Sequence, residues 1–189
     1  MLKQLFILLY NLIASPEKTW KELSENQDMS NENYNRNYLY PIFGLIAVFA
    51  FLGIFFSTKE FSIQYALKAV IKELITYVLG YYLVVLVLFR FLFKYFNREE
   101  SLLVCERFTG YSSAVIYVVA MVDSLFPSLF FLQIFVLYAT YVIWHGAKYY
   151  LHFSDENQTK FTIFASLIII IFPLIIQTFI SLMMPGLDI

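Results

Sequence analysis

Residues 161–184 read FTIFASLIIIIFPLIIQTFISLMM, a stretch of 24 residues that contains no charged side chain. A membrane-spanning α-helix needs about 20 apolar residues to cross about 30 Å of hydrocarbon, because each residue adds about 1.5 Å. Membrane-spanning β-strands are only about 10 residues long and alternate in polarity, unlike the LIIIIF run at residues 167–172. This stretch is therefore predicted to cross a membrane as a helix.

Four more apolar stretches precede this one along the chain. The five predicted spans are residues 39–57, 72–93, 108–126, 128–146 and 161–184. The composition agrees, since 60% of the 189 residues are hydrophobic and 14% are charged, against about 45–50% and about 25% in soluble domains. We expect an all-α, polytopic membrane protein. Together with a net charge of −1, this excludes a soluble enzyme, a disordered chain and a nucleic-acid binder.

Basic residues indicate how the chain is oriented in the membrane. With the N-terminus in the cytoplasm, the inner segments hold Lys3, Lys18, Lys21, Arg36, Arg90, Lys94, Arg98, Arg107, Lys148 and Lys160. The outer segments hold only Lys59, Lys68 and Lys72. Because cytoplasmic loops are enriched in Lys and Arg, the N-terminus is predicted inside and the C-terminus outside.

The N-terminal segment, residues 1–38, is predicted to lie on the cytoplasmic side of the five-helix domain, residues 39–189. A helix over residues 2–13 would have a broad apolar face and a narrow polar stripe, which favours a position in the membrane interface over a cleaved signal peptide. Ser15 and Pro16 are typical of a second helix start, with Trp20 and Leu23 expected to face the membrane. The polar stretch 24–37 is interpreted as a flexible linker.

No residues gather in a pattern typical of catalysis, a metal site or a cofactor site. His145 and His152 are seven residues apart, roughly 10.5 Å along a helix, which is too far to share a metal. Cys105 is the only cysteine, and it is expected on an exposed loop beside Glu106, which would raise rather than lower the pKa of the thiol. We therefore predict no catalytic residue, no metal and no cofactor.

Asp123 is the best candidate for a functional polar group within the spans. A charge in hydrocarbon costs about 2.5–3.5 kcal/mol on insertion scales. Asp123 is either a proton or cation ligand or a structural cap of the hairpin at Pro127. Lys72 and Glu73, at the start of the second span, are interpreted as an interfacial lead-in.

Tyrosine hydroxyls within the spans also need hydrogen-bond partners. They either line a polar cavity for a ligand or join helices by bonds to Thr76, Ser112, Ser113 or Thr140, or to one another. The tyrosines proposed as ligand residues are Tyr77, Tyr81, Tyr111, Tyr138 and Tyr141.

Two short motifs resemble the Yip family of five-span membrane proteins. The segment Ser15-Pro16-Glu17-Lys18-Thr19-Trp20 is similar to one that precedes the first span in prokaryotic members. Gly110-Tyr111-Ser112 is similar to the Gly-Tyr-Ser at the start of the family's third span, and a last span interrupted at Pro173 also fits the family. The Asp-Leu-Tyr-Gly-Pro signature of eukaryotic members is absent, which favours a bacterial plasma membrane.

The resemblance implies a non-enzymatic role in organising the membrane, and it provides no catalytic residues. We therefore expect a scaffold whose partners are the lipid bilayer, a protein at the cytoplasmic N-terminal segment and further copies of the chain. The alternative is a small oligomeric transporter or channel for a proton, an ion or a small solute. That alternative predicts a water-filled cavity that reaches Asp123.

Overall fold

The structure, a computed structural model, describes residues 2–25, 31–57, 62–97 and 101–183. Within these ranges the chain forms helices and no strand. The helices are α1 (Leu2–Ala14), α2 (Pro16–Glu25), α3 (Asn31–Tyr34), a π-helical turn (Asn35–Leu39), α4 (Tyr40–Ser57), α5 (Ile63–Phe96), α6 (Leu102–Ser112), α7 (Ala114–Leu125), a 3-10 helix (Pro127–Tyr138), α8 (Ala139–Tyr149) and α9 (Asp155–Met183). Part of the predicted linker, at 26–30, the orientation residues Lys59 and Arg98, and residues 184–189, which include the last residue of the fifth predicted span, lie outside the described residues.

By length and composition, four helical segments can cross a membrane, and they cover Glu32–Phe56, Ile63–Phe96, Pro127–Tyr149 and Asp155–Met183. Helices α6 and α7 meet the same criteria only as a pair, bent by 46° where they meet, and they make a fifth crossing if the pair is one span. The chain is therefore an all-α, multi-pass integral membrane protein, as predicted.

The bend in the third span lies at Ser113, whereas the sequence pointed to Pro173 as the interruption, in the last span. The Ser113 hydroxyl donates to the Thr109 carbonyl at 2.8 Å. A serine that bonds back to the fourth preceding carbonyl bends helices. Pro173 lies inside the continuous helix α9, so the expected interruption of that span was wrong.

The first crossing begins earlier than residue 39, the predicted boundary. Residues that were assigned to a linker form α3 and the π-helical turn, which lead directly into α4. Tyr34 and Tyr38 on this extension are buried, at 1% and 2% exposed. Their burial against the neighbouring spans makes this Asn-rich stretch part of the helical bundle.

Helix contacts define two ends of the bundle. In its centre, α4 packs against α5 and α7, and α5 packs against α9. We call the end where α2 packs on α8 the inner end, following the predicted orientation. The outer end is the opposite one, where α7 meets the 3-10 helix at Phe126.

Candidate functional site

Five aromatic rings form a continuous cluster at the inner end. This inner cluster consists of Trp20, Tyr34, Tyr38, Phe108 and Tyr111, and every member is buried. The Trp20 ring stacks on Phe108 at 5.7 Å between centroids and meets the edge of Tyr111 at 5.9 Å. Tyr111 also contacts Tyr34 at 5.4 Å and Tyr38 at 4.7 Å. The cluster therefore joins α2, the start of the first span and α6.

Tyrosine hydroxyls around this cluster bond to backbone carbonyls of α6. Tyr38 donates to the Gly110 carbonyl at 3.0 Å, close to the bend at Ser113. Tyr81 and Tyr34 both donate to the Glu106 carbonyl, at 3.0 and 3.3 Å. A carbonyl near a helix break needs such a partner because water is absent from the bilayer core. These tyrosines therefore join helices through backbone carbonyls of α6, and the Tyr34 and Tyr81 hydroxyls also bond to each other.

Two glycines make room for the rings of the inner cluster. A Cβ atom at Gly110 would overlap the hydroxyl of Tyr34. At Gly146 it would lie 2.8 Å from two ring carbons of Trp20. Both positions therefore need glycine because a helix backbone and an aromatic ring approach each other closely there.

Trp20 was expected to face the membrane, and that expectation was wrong. Its side chain is 0% exposed, and its indole nitrogen donates to the Val142 carbonyl at 2.9 Å. An indole N–H needs a hydrogen-bond acceptor when it is buried, and α8 provides one together with the space above Gly146. Trp20 thus holds α2 on the protein.

Polar contacts strengthen this attachment of the N-terminal helices. Tyr138 donates from its hydroxyl to the Ile13 carbonyl at 2.9 Å. Tyr149 and Lys21 both donate to Oε1 of Glu17, at 2.8 and 2.7 Å. The hydrogen bond from Lys21, followed by that from Tyr149, lowers the pKa of the Glu17 carboxyl from its ordinary value.

A second polar region lies at the outer end, in a cavity of about 470 Å³ between α5, α7, the 3-10 helix and α9. Its polar lining consists of Lys72, Glu73, Tyr77, Asp123, Ser124, Gln133 and Gln177. Asp123 accepts one hydrogen bond there, from Nε2 of Gln133 at 3.4 Å. A smaller cavity of about 270 Å³ adjoins it and shares Lys72, Glu73, Ser124 and Pro127.

Towards the inner end, the space between the spans closes. Below Tyr77, the described residues leave a void of only about 10 Å³, lined among others by Tyr81, Tyr117 and Pro173. A single water needs about 10–15 Å³. A cavity does reach Asp123, as transport requires, but the packing below it does not favour the transport alternative.

The Yip1 domain matches residues 10–177. This range includes Ser15, Pro16, Trp20 and the Gly110-Tyr111-Ser112 motif, and Trp20 and Tyr111 are members of the inner cluster. The chain belongs to the Yip1 domain family. No curated protein and no solved structure shows a match to the chain.

In this Yip1 domain the motif residues have structural positions. Pro16 is buried at the start of α2, and the Ser15 carbonyl accepts the hydroxyl of Thr19 at 2.9 Å. Tyr111 is a member of the inner cluster, and Ser112 is 0% exposed beside it. The motif therefore marks the contact between α2 and the spans, in a family that generally consists of non-enzymatic membrane proteins.

The six residues that the sequence suggested as ligand residues lie in three separate places in the structure. Asp123 and Tyr77 line the outer cavity together. Tyr81 and Tyr111 belong to the packed interior of the inner half. Tyr138 and Tyr141 line a shallow pocket of about 360 Å³ beside the start of α2. The structure does not bring the six residues together in one site.

Sequence reasoning underestimated Lys72 and Glu73, which it treated as an interfacial lead-in. Both residues line the outer cavity with Asp123. They lie about two and a half helical turns into α5, because α5 begins at Ile63 and not at residue 72. Cys105 was also misplaced, since it is buried in α6 at 1% exposed and does not lie on a loop.

Within residues 2–25, 31–57, 62–97 and 101–183, no three His, Cys, Asp or Glu side chains meet as metal ligands.

Proposed function

We propose that this Yip1 domain protein organises the membrane as a scaffold, with α1 contacting lipid and α2 presenting a charged face to a protein partner. The observation that carries the proposal is the attachment of α2 to the spans through Trp20, which leaves the opposite face of the N-terminal helices exposed.

The apolar surface of α1 has two parts. Leu5, Leu9 and Leu12 are buried against the protein. Leu2, Phe6, Ile7 and Tyr10 are exposed on the other side, at 49–70%. An exposed apolar face on a helix attached to a membrane protein is suited to insertion into the headgroup and acyl boundary. Such a helix displaces lipid in one leaflet, which supports a role in membrane organisation.

The outward face of α2 carries charges of both signs. Lys18 and Glu22 form an exposed i, i+4 pair at 3.8 Å, and Glu17 and Lys21 form another at 2.7 Å. Surface ion pairs of this kind contribute little to stability. Their main effect is a charge pattern that a partner can recognise, since complementary charges steer association and suppress incorrect partners.

The test compares the full chain with a variant that lacks residues 1–23, both reconstituted into vesicles. We expect both proteins to insert. We expect only the full chain to change vesicle shape in electron micrographs or to retain a cross-linked cytoplasmic partner. Unchanged vesicle shape together with an unchanged set of co-purified proteins would contradict the proposal.

Point variants test separately the proposed lipid contact of α1 and the proposed partner contact of α2. Ile7→Ser should reduce the effect on vesicle shape, whereas Ile163→Ser, a matched change at an exposed residue of α9, should not. The double variant Lys18→Glu with Glu22→Lys keeps an i, i+4 pair but reverses the charge pattern. It should therefore lose the partner without losing stability.

A further inference from the structure

We propose that the outer cavity binds the headgroup of a phospholipid that carries a primary amine. The ammonium group would lie at Asp123 and Glu73, and the phosphate would lie at Lys72. The lipid site goes beyond the scaffold function, and the cavity contains none of the α1 and α2 residues on which the scaffold proposal rests.

The charges on the cavity wall indicate a ligand with both signs. Lys72, Glu73 and Asp123 all line it. Among the described residues, neither carboxylate forms a salt bridge with Lys72. Charged groups at membrane depth are costly unless they are paired or hydrated. A zwitterionic ligand would pair all three groups, with a cation between two carboxylates and an anion at the lysine.

Hydrogen bonding favours a primary amine over a quaternary one. Asp123 accepts a single, long bond from Gln133, at 3.4 Å, so its carboxylate retains capacity to accept more. The side chains of Tyr77 and Gln177 add further oxygen acceptors on the same wall. A primary ammonium has three N–H donors for these oxygens, whereas a trimethylated ammonium has none. Among the described residues no tryptophan lines the cavity, so the cation–π contacts that favour quaternary amines are weaker there.

The rest of the cavity wall favours a lipid over a soluble amine. Its apolar lining consists of Ile116, Val119, Ala120, Val136, Leu137, Ile170, Pro173 and Leu174. Leu137 and Leu174 are also exposed on the outside of the bundle, at 63% and 53%. The cavity therefore opens sideways between the 3-10 helix and α9, where acyl chains of the surrounding leaflet lie.

The size of the cavity and the packing of its wall also fit this ligand. Its volume of about 470 Å³ is within the range of about 300–1,000 Å³ that is usual for small-molecule sites. The 3-10 helix that forms one wall has no buried residue. A wall that is loosely packed on its neighbours can move to admit a headgroup from the side.

The test is a titration of the purified full chain in detergent with short-chain phospholipids that share the same acyl chains. Binding is measured as the rise in thermal unfolding temperature with lipid concentration. We expect the ethanolamine lipid to bind about tenfold more tightly than the choline lipid, which has no N–H donor, or the glycerol lipid, which has no positive charge for the carboxylates. Equal binding of the three lipids would overturn the proposal.

Variants locate the binding in the outer cavity. Asp123→Asn should weaken binding of the ethanolamine lipid about tenfold, and Lys72→Met should weaken binding of all three lipids. Asp155→Asn, at an exposed carboxylate of the inner end, is the matched control and should bind like the unmodified chain. An Asp123→Asn variant that binds like Asp155→Asn would assign the lipid to another surface and refute the site.

Two further measurements use only the unmodified chain, so they do not depend on whether a variant folds. Affinity should fall with each methyl group added to the ethanolamine nitrogen, because each removes one N–H donor. Free phosphoethanolamine should bind far more weakly than the lipid, since it lacks the chains that would occupy the apolar opening. Equal affinity of the free headgroup would contradict a lipid ligand, and a flat methylation series would contradict recognition of the amine.

Discussion

Replacing Gly146 by alanine is expected to loosen α2 from the spans, whereas the same change at Gly44 is not. A Cβ atom at position 146 would lie 2.8 Å from Cε2 and Cζ2 of Trp20 and 2.9 Å from Cε2 of Phe108. Both rings are buried in the inner cluster, so neither has free space to move into. At Gly44 no atom lies within 4 Å of the added carbon.

The expected change in the free energy of unfolding for Gly146→Ala is the sum of two opposing effects. Overpacking a well-packed interior costs about 1–3 kcal/mol, and alanine gains about 0.5–1 kcal/mol over glycine in a helix. Gly146→Ala should therefore lower the free energy of unfolding by up to about 2.5 kcal/mol, or up to roughly 10 °C in Tm for a chain of this size. Gly44→Ala should raise it by up to about 1 kcal/mol.

Fluorescence of Trp20 provides the assay. The chain has 2 tryptophans, so a Trp144→Phe background leaves Trp20 as the sole reporter. Its emission should shift to the red at a lower temperature in Gly146→Ala than in the background protein, because the indole leaves its buried position above α8. If Gly146→Ala and Gly44→Ala unfold at the same temperature, the reasoning about α2 is refuted.

Three further outcomes test the inner end. Gly110→Ala should destabilise the protein, and Tyr34→Phe should reduce that loss by removing the overlapping hydroxyl; a double-mutant cycle in thermal unfolding would show purely additive effects if the contact were absent. Tyr38→Phe should cost about 1–3 kcal/mol in the same measurement, because the Gly110 carbonyl loses its donor; a change near zero would contradict this bond. The contribution of Glu17 to α2 attachment should be constant above its ordinary pKa of 4.5 and lost only as pH falls through its lowered value. Trp20 emission at decreasing pH would measure this, and Lys21→Met, which removes the first cause of the lowered pKa, should move the loss to higher pH.

The existence of the spans could be predicted from sequence because it depends on length and apolar composition alone. The start of the first span could not be predicted in this way. Asn35 and its polar neighbours hide the i, i+4 spacing of Tyr34 and Tyr38, which places both rings on one side of the helix to meet Tyr111. A hydropathy window averages over all sides of a helix, whereas burial in a bundle is decided by one side.

The bend of the third span was missed for a related reason. Proline is a visible helix breaker in a sequence, so Pro173 attracted attention, although α9 continues through it. The bend at Ser113 depends on a bond from its hydroxyl to Thr109 and lies beside a carbonyl that Tyr38 satisfies from another helix. The bond from Tyr38 to the Gly110 carbonyl joins residues 72 apart in the chain, so no local sequence pattern predicts it.

In the outer cavity, sequence reasoning identified Asp123 as a candidate functional residue but did not identify Lys72 and Glu73, which line the same cavity. Asp123 is conspicuous as an isolated charge in an apolar stretch, whereas Glu73 follows Lys72 and was interpreted as part of a helix end. The two carboxylates are about 50 residues apart in the chain and line one cavity because α5 and α7 both border it at the outer end. Spacing along the sequence does not predict that two residues so far apart line the same cavity.

The two ends of the bundle differ in packing in a way that suits different tasks. At the inner end, buried rings and hydrogen bonds fix α2 in one orientation, so its charged face has a defined geometry. At the outer end, a 3-10 helix without buried residues borders a charged cavity, so a ligand can enter with little loss of packing. The proposed scaffold surface and the proposed lipid site share no residue. Removal of residues 1–23 should therefore abolish the first activity and leave selective binding of the amine lipid unchanged, and loss of both would show that the inner end also supports the cavity.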